Sequence, residues 1–313
     1  MTHEKERPPR HEVVITRDGA RAIRDTHLRE VMHPVVGARV EAEELYAKQS
    51  RLRERLLGEP PLAHLWDTTD LVSQDNQWDP IHLDGPREPQ VLFDAGLGAA
   101  SNALAARRVS ESLAGAAADS GAGQRDARRL CIVSFENDLG ALELALRPEN
   151  ANDFGLDGEA GEAARALLER GEHQTARTHW QLRHGDLLAQ LEREPLRAEV
   201  IFWDPFSPRA NPSLWNAAAF TLLRTRCATG CTLFTYAAAT SVRAALLLAG
   251  FAVGLGAATG TTQETTAAAC DVRHLLRPLD RRWLERLARS SAPFPADAPP
   301  DALERIRALP QFE

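Results

Sequence analysis

The chain has 313 residues, of which 43% are hydrophobic and 26% are charged, and this composition is typical of a folded globular protein. No apolar run approaches the roughly 18 residues that a membrane-spanning helix needs, and residues 1–10 (MTHEKERPPR) lack the apolar core of a secretory signal, so we expect a cytoplasmic protein. The formal net charge of −7 excludes a protein that coats nucleic acid by bulk electrostatics, although it leaves room for a local basic patch.

Residues 1–65 predict a small module with a β-hairpin and one helix. Two short β-prone runs stand on either side of Asp18 and Gly19, a pair that supplies the positive φ angles of a tight hairpin turn. Over residues 37–57, apolar side chains recur at helical spacing, so we expect an amphipathic helix there. Residues 66–89, rich in Asp, Pro and Gln, predict a linker.

Beyond the linker, short apolar runs alternate with Ala-rich helical stretches, a pattern that is typical of βαβ units and a mainly parallel sheet. The candidate strands are residues 90–94, 130–135, 178–183, 200–204, 231–236, 251–255 and 265–270. We therefore expect residues 90–270 to form a doubly wound, Rossmann-like seven-stranded α/β domain. Residues 271–313 contain an Arg-rich stretch and a Pro- and Ala-rich tail, and they predict a basic, partly disordered C-terminal extension.

The chain has four cysteines, Cys131, Cys227, Cys231 and Cys270. They are too sparse for a disulfide framework, and they lack the paired CxxC spacing of a zinc site. We interpret them as reduced core residues, and we expect no metal.

The first strand of the predicted sheet ends at Asp94 and leads through Gly96 and Gly98 into a helix. Glycines allow the backbone to turn sharply and to approach a ligand closely, and the helix N-terminus presents free N–H groups. A nicotinamide-binding fold would favour a third glycine at position 101, which is Ser101 here. An acid that precedes the glycine turn is commoner in methyltransferases that use S-adenosylmethionine (AdoMet).

Two more acids follow predicted strands. Glu136 ends the second strand, where a carboxylate can accept hydrogen bonds from the two hydroxyls of a ribose. Asp186 follows Gly185 after the third strand, where it can accept a hydrogen bond from an adenine amino group. These acids fall at the carboxyl edge of the sheet, which is where open α/β sheets bind ligands.

The most specific feature is the stretch FWDPFSPRANPSLW over residues 202–215. Asp204 ends a strand here, and Phe206 and three prolines follow it, so the stretch predicts a stiff loop over the site with Asp204 beside the reacting centre. The alternative is a Pro-rich loop with a purely structural role.

This loop resembles the D-[GA]-F-[AS]-P-x-K-N-P-x-[ML]-W motif of the methyltransferase domain of the MnmC family, the tRNA 5-methylaminomethyl-2-thiouridine biosynthesis proteins. The shorter stretches that also resemble the family are residues 230–236 (GCTLFTY), 242–243 (VR) and 249–251 (AGF). Residues 94–102 are similar to the family's E-x-G-F-G-T-G-L-N loop and keep the acid, two glycines and Asn102. The resemblance covers about residues 11–270.

The resemblance implies an AdoMet-dependent methyltransferase fold and transfer of a methyl group to the primary amine of 5-aminomethyluridine at the tRNA wobble position. The residues that it implies for the AdoMet pocket are Asp94, Gly96, Gly98, Asn102, Glu136, Gly185 and Asp186. Those that it implies for the substrate are Phe206, Pro208, Arg209, Asn211, Trp215 and Arg243. Among these, Phe206 or Trp215 is the candidate for stacking on a base.

Asp204 would face the methyl donor and the acceptor amine. We expect it to orient the amine first and to act as a base second, since an ordinary Asp is too weak a base to deprotonate an ammonium at neutral pH. MnmC proteins also carry an FAD-dependent oxidase domain, whereas this chain resembles the methyltransferase alone. A separate FAD-dependent or other enzyme would then supply the aminomethyl substrate.

Three positions depart from the family's pattern. Ala210 replaces a Lys, although Arg209 is adjacent, and residues 261–264 (TTQE) replace a basic K-R-E run. Ala100 replaces the third glycine of the loop. The loss of two cationic sites should weaken phosphate binding, although the basic tail could compensate. Three hypotheses follow: a wobble-uridine tRNA methyltransferase, an AdoMet methyltransferase for a different RNA or a small amine, and a non-catalytic relative that serves as a binding or scaffold protein.

Overall fold

The structure is a computed structural model, and it describes residues 9–16, 19–32, 37–58, 88–114, 127–258 and 264–313. Within these ranges, no helix has the length and apolar character needed to cross a membrane. Asp18 of the expected turn and most of the expected linker, residues 66–87, lie outside the described ranges.

A three-stranded antiparallel sheet opens the chain. Strands β1 (His11–Ile15) and β2 (Arg21–Asp25) form the expected hairpin, and Gly19 between them has a φ of +84°. A third strand, β3 (Glu30–Val31), pairs with β2. Because Ile23 is fully buried, this sheet packs against the rest of the protein with one face.

The single helix expected over residues 37–57 is divided into three segments. They are α1 (Ala38–Glu41), a π-helix (Ala42–Lys48) and α2 (Leu52–Leu57). Arg51 lies between the π-helix and α2 and has a left-handed backbone with a φ of +53°. The wider turn of the π-helix buries a leucine, a tyrosine and an alanine that are adjacent in sequence. Ordinary α-helical spacing would spread these three side chains over a wider arc, which is why the pattern alone predicts one regular helix.

Within the described residues, the main sheet has eight strands in the order β10-β11-β9-β8-β4-β5-β7-β6. The strands are β4 (Gln90–Ala95), β5 (Leu130–Glu136), β6 (Glu172–Gln174), β7 (Thr178–His184), β8 (Ala198–Trp203), β9 (Cys227–Thr235), β10 (Ala252–Leu255) and β11 (Thr266–Ala269). The five central strands are parallel to one another. All seven predicted strands are present and the α/β fold class is confirmed, while the short, polar strand β6 was not predicted.

The strand order reverses between β4 and β8. From β4 the chain proceeds to β5 and β7 on one side, and it later returns to β8 and β9 on the other. Such a reversal leaves a crevice outside the carboxyl ends of the two strands, where open α/β sheets bind ligands.

Helices cover both faces of this sheet. On one face lie α3 (Ser101–Glu111), α4 (Gly140–Ala145) and α5 (Gly158–Arg170), with the N-terminal module. On the other lie α6 (Leu187–Arg193), α7 (Ala217–Thr225), α8 (Thr240–Leu248), α9 (Arg281–Arg289) and α10 (Ala302–Arg307). Each layer encloses its own cluster of buried apolar side chains, so the sheet is apolar on both faces, as a parallel sheet requires.

The C-terminal residues 271–313 differ from the expected, partly disordered extension. Trp283 and Leu287 of α9, Ile306 of α10 and Phe312 are all buried in the core cluster of the second layer. The rings of Trp283 and Phe312 stack with their centroids 6.2 Å apart. The apolar side chains of α9, four residues apart, were the signal for this packing, and the flanking Pro- and Ala-rich sequence obscured it.

Candidate active site

A cavity of about 490 Å³ opens at the carboxyl ends of β4 and β8. Four parts of the chain form its wall: the N-terminal sheet, the turn after β4, the chain after β5 and β7, and the loop after β8. The predicted site residues that line it are Gly96, Gly98, Glu136, Asp186, Asp204, Phe206 and Asn211. Lining residues that the prediction missed include Arg29, Glu30, Met32, Glu41, Ser207 and Tyr236.

The turn after β4 requires glycine at Gly96. This residue has a φ of +90°, and a Cβ added to it would lie 2.6 Å from the carbonyl oxygen of Asp204. Gly98 has a φ of +50° and lies close to the Met32 side chain. Ala100, which stands where the family has glycine, keeps the same left-handed conformation with a φ of +67°. The turn therefore has the close-packed backbone that was expected of a ligand-binding loop.

Asp94 lies below this turn, fully buried, and does not line the cavity. The Ser134 hydroxyl donates a hydrogen bond to its Oδ2 at 2.7 Å, and the Trp180 indole donates to the Ser134 hydroxyl at 2.9 Å. Burial raises the pKa of Asp94 to about 7. This chain of hydrogen bonds joins β4, β5 and β7, so Asp94 supports the site from below rather than contacting a ligand.

Glu136 presents its carboxylate to the cavity from the end of β5. It accepts hydrogen bonds from the backbone N–H groups of Gly98 at 3.1 Å, Asn137 at 2.8 Å and Asp138 at 3.0 Å. Burial raises the pKa of Glu136, and these N–H groups oppose that shift. Oε1 accepts two of these hydrogen bonds and Oε2 accepts one, so Oε2 has an acceptor position left that suits a ribose hydroxyl.

Asp186 lines the cavity where β7 leads into α6. Its Oδ1 accepts a hydrogen bond from the N–H of Ala189 at 2.9 Å and so caps the helix. Gly185, with a φ of +129°, makes the turn and does not line the cavity. Asp186 therefore lines the cavity and also has a structural role as the cap of α6.

Asp204 follows β8 and lines the cavity. Its backbone N–H donates to the Ala95 carbonyl at 2.9 Å, which extends the pairing of β8 with β4. The Asn102 side chain donates its Nδ2 to Asp204 Oδ2 at 2.7 Å. Asn102 does not line the cavity itself, so the structure places it behind Asp204, where it fixes the direction of the carboxylate.

Two tyrosines lie near Asp204. Burial and the negative charge of Asp204 raise the pKa of Tyr46 and of Tyr236. The hydroxyl of Tyr236 donates to the Pro205 carbonyl at 3.0 Å. Both phenols therefore stay protonated at neutral pH. The sequence analysis missed them, because only the packing of the π-helix and of β9 brings them to this loop.

The N-terminal sheet contributes one wall of the cavity. Glu30 on β3 accepts hydrogen bonds from the Ser207 N–H at 3.0 Å and from the Ser207 hydroxyl. Arg29 adopts a left-handed backbone with a φ of +56°, and its exposed side chain lines the cavity. Among the described residues, Arg29 forms no ion pair. No sequence motif indicated this wall, because it forms only where β3 packs against the loop after β8, which is far away in the sequence.

Three predicted substrate residues on the loop after β8 do not line the cavity. Pro208 and Arg209 lie outside it, and the Arg209 side chain is 84% exposed and 3.7 Å from Glu30. Trp215 is buried, and its indole donates to the Phe206 carbonyl at 2.8 Å. Trp215 therefore supports the loop from inside and is not free to stack on a base, whereas Phe206 lines the cavity.

Arg243 is placed away from the cavity, contrary to its predicted substrate role. Its buried guanidinium donates to the Thr266 hydroxyl at 3.0 Å and the Thr265 carbonyl at 3.1 Å, and it pairs with Glu264 at 3.2 Å. These contacts tie α8 to β11. Residues 261–263, where the family has basic residues, lie outside the described ranges.

The charges around the cavity are mainly negative. The lining carboxylates are Glu30, Glu41, Glu136, Asp186 and Asp204, and the lining guanidinium is that of Arg29. Such a wall favours a ligand that carries positive charge, as a sulfonium or an alkylamine does.

Residues 163–271 match the sequence profile of a family described as S-adenosyl-L-methionine-dependent methyltransferase. The chain is 29% identical over 212 residues to the tRNA 5-methylaminomethyl-2-thiouridine biosynthesis bifunctional protein MnmC of Methylibium petroleiphilum. This alignment covers 64% of the present chain and 30% of the Methylibium protein. It is 34% identical over 82 residues to the protein of the same name from Hahella chejuensis, and this alignment covers 26% of the present chain and 13% of the Hahella protein. The chain thus spans less than a third of the length of these curated relatives.

The fold is similar to the crystal structure of MnmC2 from Aquifex aeolicus, with a TM-score of 0.64 and 22% identity over 97% of this chain and 87% of that one. Together with the sequence matches, this confirms the expected resemblance to the MnmC methyltransferase domain. The chain is an AdoMet-dependent methyltransferase, and the expected cofactor, AdoMet, is confirmed.

Proposed function

We propose that this AdoMet-dependent methyltransferase acts on the aminomethyl group of 5-aminomethyl(-2-thio)uridine at the tRNA wobble position. The observation that carries the proposal is the carboxylate of Asp204, which Asn102 holds at the cavity wall on a loop that resembles the MnmC motif. The printed names of the curated relatives refer to the synthesis of this kind of nucleoside. A cytoplasmic location and tRNA as the partner are parts of the same proposal.

The cofactor would lie across the turn after β4. Gly96 and Gly98 line the cavity there, Glu136 would accept a hydrogen bond from a ribose hydroxyl at Oε2, and Asp186 would accept one from the adenine amino group. When bound, AdoMet supplies a methyl group on a positively charged sulfur. The carboxylates at the cavity wall favour that charge.

Asp204 would hold the acceptor amine in line with the methyl group. Methyl transfer forms a bond from the amine nitrogen to the methyl carbon while the carbon–sulfur bond breaks, so alignment and a free lone pair supply most of the rate. The Asn102 amide donates to Oδ2 of Asp204 at 2.7 Å and so orients the carboxylate that would accept an amine N–H. As positive charge develops on the nitrogen, the fixed carboxylate stabilises it. The product ammonium then releases its proton to water.

The nucleoside itself would bind between the loop after β8 and the N-terminal sheet. Phe206 lines the cavity and offers an aromatic face for a base, and Asn211 offers an amide for the base edge. Arg29 and Arg209 are exposed cations next to this opening, and they would contact phosphates in place of the Lys that Ala210 replaces.

A second acceptor class is favoured by the charge of the cavity. Glu30 and Glu41 add negative charge on the side of the N-terminal sheet, and Ala210 removes a cation that a tRNA phosphate would use. A small alkylamine, which carries positive charge and no phosphate, fits this balance. A different RNA is the remaining alternative within the same class of enzyme.

The test is transfer of labelled methyl from AdoMet to tRNA that carries 5-aminomethyluridine, with fully modified tRNA as the control acceptor. We expect incorporation only into the former, and we expect it to weaken as salt rises because phosphate contacts release counterions. Incorporation into small alkylamines but into neither tRNA would replace the tRNA proposal by the second acceptor class. A protein that binds no AdoMet in calorimetry would be a non-catalytic relative. In the cell, a separate FAD-dependent or other enzyme would supply the aminomethyl group.

A further inference from the structure

Three of the four cysteines meet in space although they are distant in sequence. The Sγ atoms of Cys227, Cys231 and Cys270 all lie within 4.8 Å of one another. Cys227 and Cys231 are buried, and Cys270 is partly exposed. The spacing of these residues predicted no metal site, and only the fold brings them together.

An irregularity in β9 explains how the first two cysteines meet. Ala198 of β8 pairs with Cys227, and Val200 pairs with Thr232, so β9 has several extra residues between these two positions. In a straight strand, residues four apart are separated by roughly 13 Å, whereas the extra residues fold the chain back here. Such bulges redirect side chains, and this one turns Cys227 and Cys231 towards each other.

The third cysteine comes from the neighbouring strand. The backbone N–H of Cys270, just after β11, donates to the Cys231 carbonyl at 2.9 Å. This hydrogen bond sets Cys270 beside Cys231, and Cys270 is partly exposed whereas the other two cysteines are buried. One side of the cluster is therefore accessible from outside the core.

A cation lies near the cluster. The Arg224 guanidinium lies over the Phe251 ring at 5.6 Å, and its positive charge acts on Cys227 and Cys270. A cation in this position stabilises thiolate ligands.

We propose that Cys227, Cys231 and Cys270 form a binding site for a thiophilic d10 metal ion of the zinc class, with three thiolate ligands and a water molecule on the Cys270 side. Zinc–sulfur bonds of about 2.3 Å in tetrahedral geometry place sulfur atoms about 3.8 Å apart, so the Sγ atoms, which lie within 4.8 Å of one another, would move together by at most about 1 Å. Each thiol that coordinates the ion loses its proton to solvent. Arg224 offsets the net negative charge of three thiolates and one divalent ion.

The position of the site indicates a structural role. Cys227 pairs with the first residue of β8, whereas Asp204 follows the last residue of that strand, so the two sites lie at opposite ends of the sheet. A bound ion would fix the irregular start of β9 to β11. It would stabilise the fold without taking part in methyl transfer, so this inference does not depend on the acceptor.

The test is the metal content of the full chain, purified with a phosphine reductant and zinc, then measured by elemental mass spectrometry after gel filtration. We expect about one zinc ion per chain. Cys270→Ser, at the partly exposed position, should lose this ion, and Cys131→Ser, a change at a buried cysteine outside the cluster, should keep it. Circular dichroism checks that both variants fold.

A second measurement does not depend on any variant. Titration of the zinc-free wild type with Co²⁺ should give thiolate-to-metal charge-transfer absorption, and zinc should raise the melting temperature while a chelator lowers it. Absence of both the bound zinc and the charge-transfer band would overturn the proposal, and so would equal zinc loss in Cys131→Ser.

Discussion

Asp204 is the side chain on which the proposed methyl transfer depends most. Its carboxylate borders the cavity, Asn102 fixes its direction at 2.7 Å, and two protonated tyrosines lie near it. A carboxylate held in this way is already oriented before the amine arrives, so little reorganisation is needed in the transition state.

We therefore expect Asp204→Asn to lower kcat by about 100-fold or more, because the amide cannot stabilise the charge that develops on the amine nitrogen. AdoMet affinity, measured by calorimetry, should change little. Asp153→Asn, at an exposed surface pair with Arg21, is the matched control and should keep full activity. Unchanged turnover in Asp204→Asn with any acceptor would remove this residue from the mechanism.

The buried carboxyl of Asp94 leads to a different prediction, which concerns how the free energy of unfolding depends on pH. Its pKa is about 7 in the folded protein and near 3.8 in the unfolded chain, so the folded state binds this proton more tightly. The free energy of unfolding must then fall as the pH rises from about 4 to about 7, and it does not recover above that range.

Asp94→Asn removes this titration and keeps an acceptor for the Ser134 hydroxyl. Between about pH 5 and pH 8, we expect the wild type to lose about 2 kcal/mol more unfolding free energy than the variant. Urea unfolding at both pH values measures the difference. If the two proteins have parallel pH profiles, the buried carboxyl does not titrate in this range.

At the scale of elements, the contact between the turn after β4 and the loop after β8 sets the geometry of the site. A Cβ at Gly96 would lie 2.6 Å from the Asp204 carbonyl, so the two segments approach as closely as glycine permits. A shift of either segment would therefore move the Asp204 carboxylate, which we propose holds the acceptor amine.

Gly96→Ala should therefore reduce both stability and kcat, because the loop after β8 must shift to accept the methyl group. Gly171→Ala separates the two effects, since Gly171 has a similar left-handed φ of +76° but no atom within 4 Å of the added Cβ. We expect Gly171→Ala to cost about 1 kcal/mol of stability with normal activity. Equal behaviour of the two variants in melting and turnover assays would refute the close contact.

The sequence predicts an element well where the period of its apolar residues is unambiguous. The long apolar runs of β4, β5 and β8 are buried on both faces and were all predicted, and the acids at their ends were placed on the correct edge. Strand β6 has three residues and a polar sequence, so it carries no such signal.

The parts that the sequence could not predict all depend on tertiary contacts. The wall formed by Glu30, the role of Asn102 behind Asp204, and the meeting of Cys227 with Cys270 require pairs of segments that are far apart in the chain. Arg243 was misjudged for the related reason that a motif match does not reveal which way a side chain points. It turns into the core and meets Glu264.

At the scale of the whole molecule, the N-terminal sheet is a part of the site rather than an appendage. Its Ile23 is buried with the core of the main sheet, and its Glu30 holds the Ser207 backbone and hydroxyl. The sheet thereby closes one side of the cavity, on which we propose that the acceptor binds, with AdoMet on the other side.

Glu30→Ala should accordingly raise the KM for the acceptor by about 10-fold, which corresponds to the loss of one charged hydrogen bond. The affinity for AdoMet should stay the same. Glu12→Ala, at an exposed pair with Arg24 on the same sheet, should change neither constant. A weaker AdoMet affinity in Glu30→Ala would show that the cofactor, and not the acceptor, lies next to this wall.

The contact between Glu30 and Ser207 also governs the order in which the protein can mature during translation. The two residues are 177 positions apart, so at about 5 to 20 residues per second the ribosome needs roughly 10 to 40 s to deliver the second partner after the first. The contact between Glu30 and Ser207 therefore cannot form until residue 207 has been synthesised, and the cavity is not closed on this side before then.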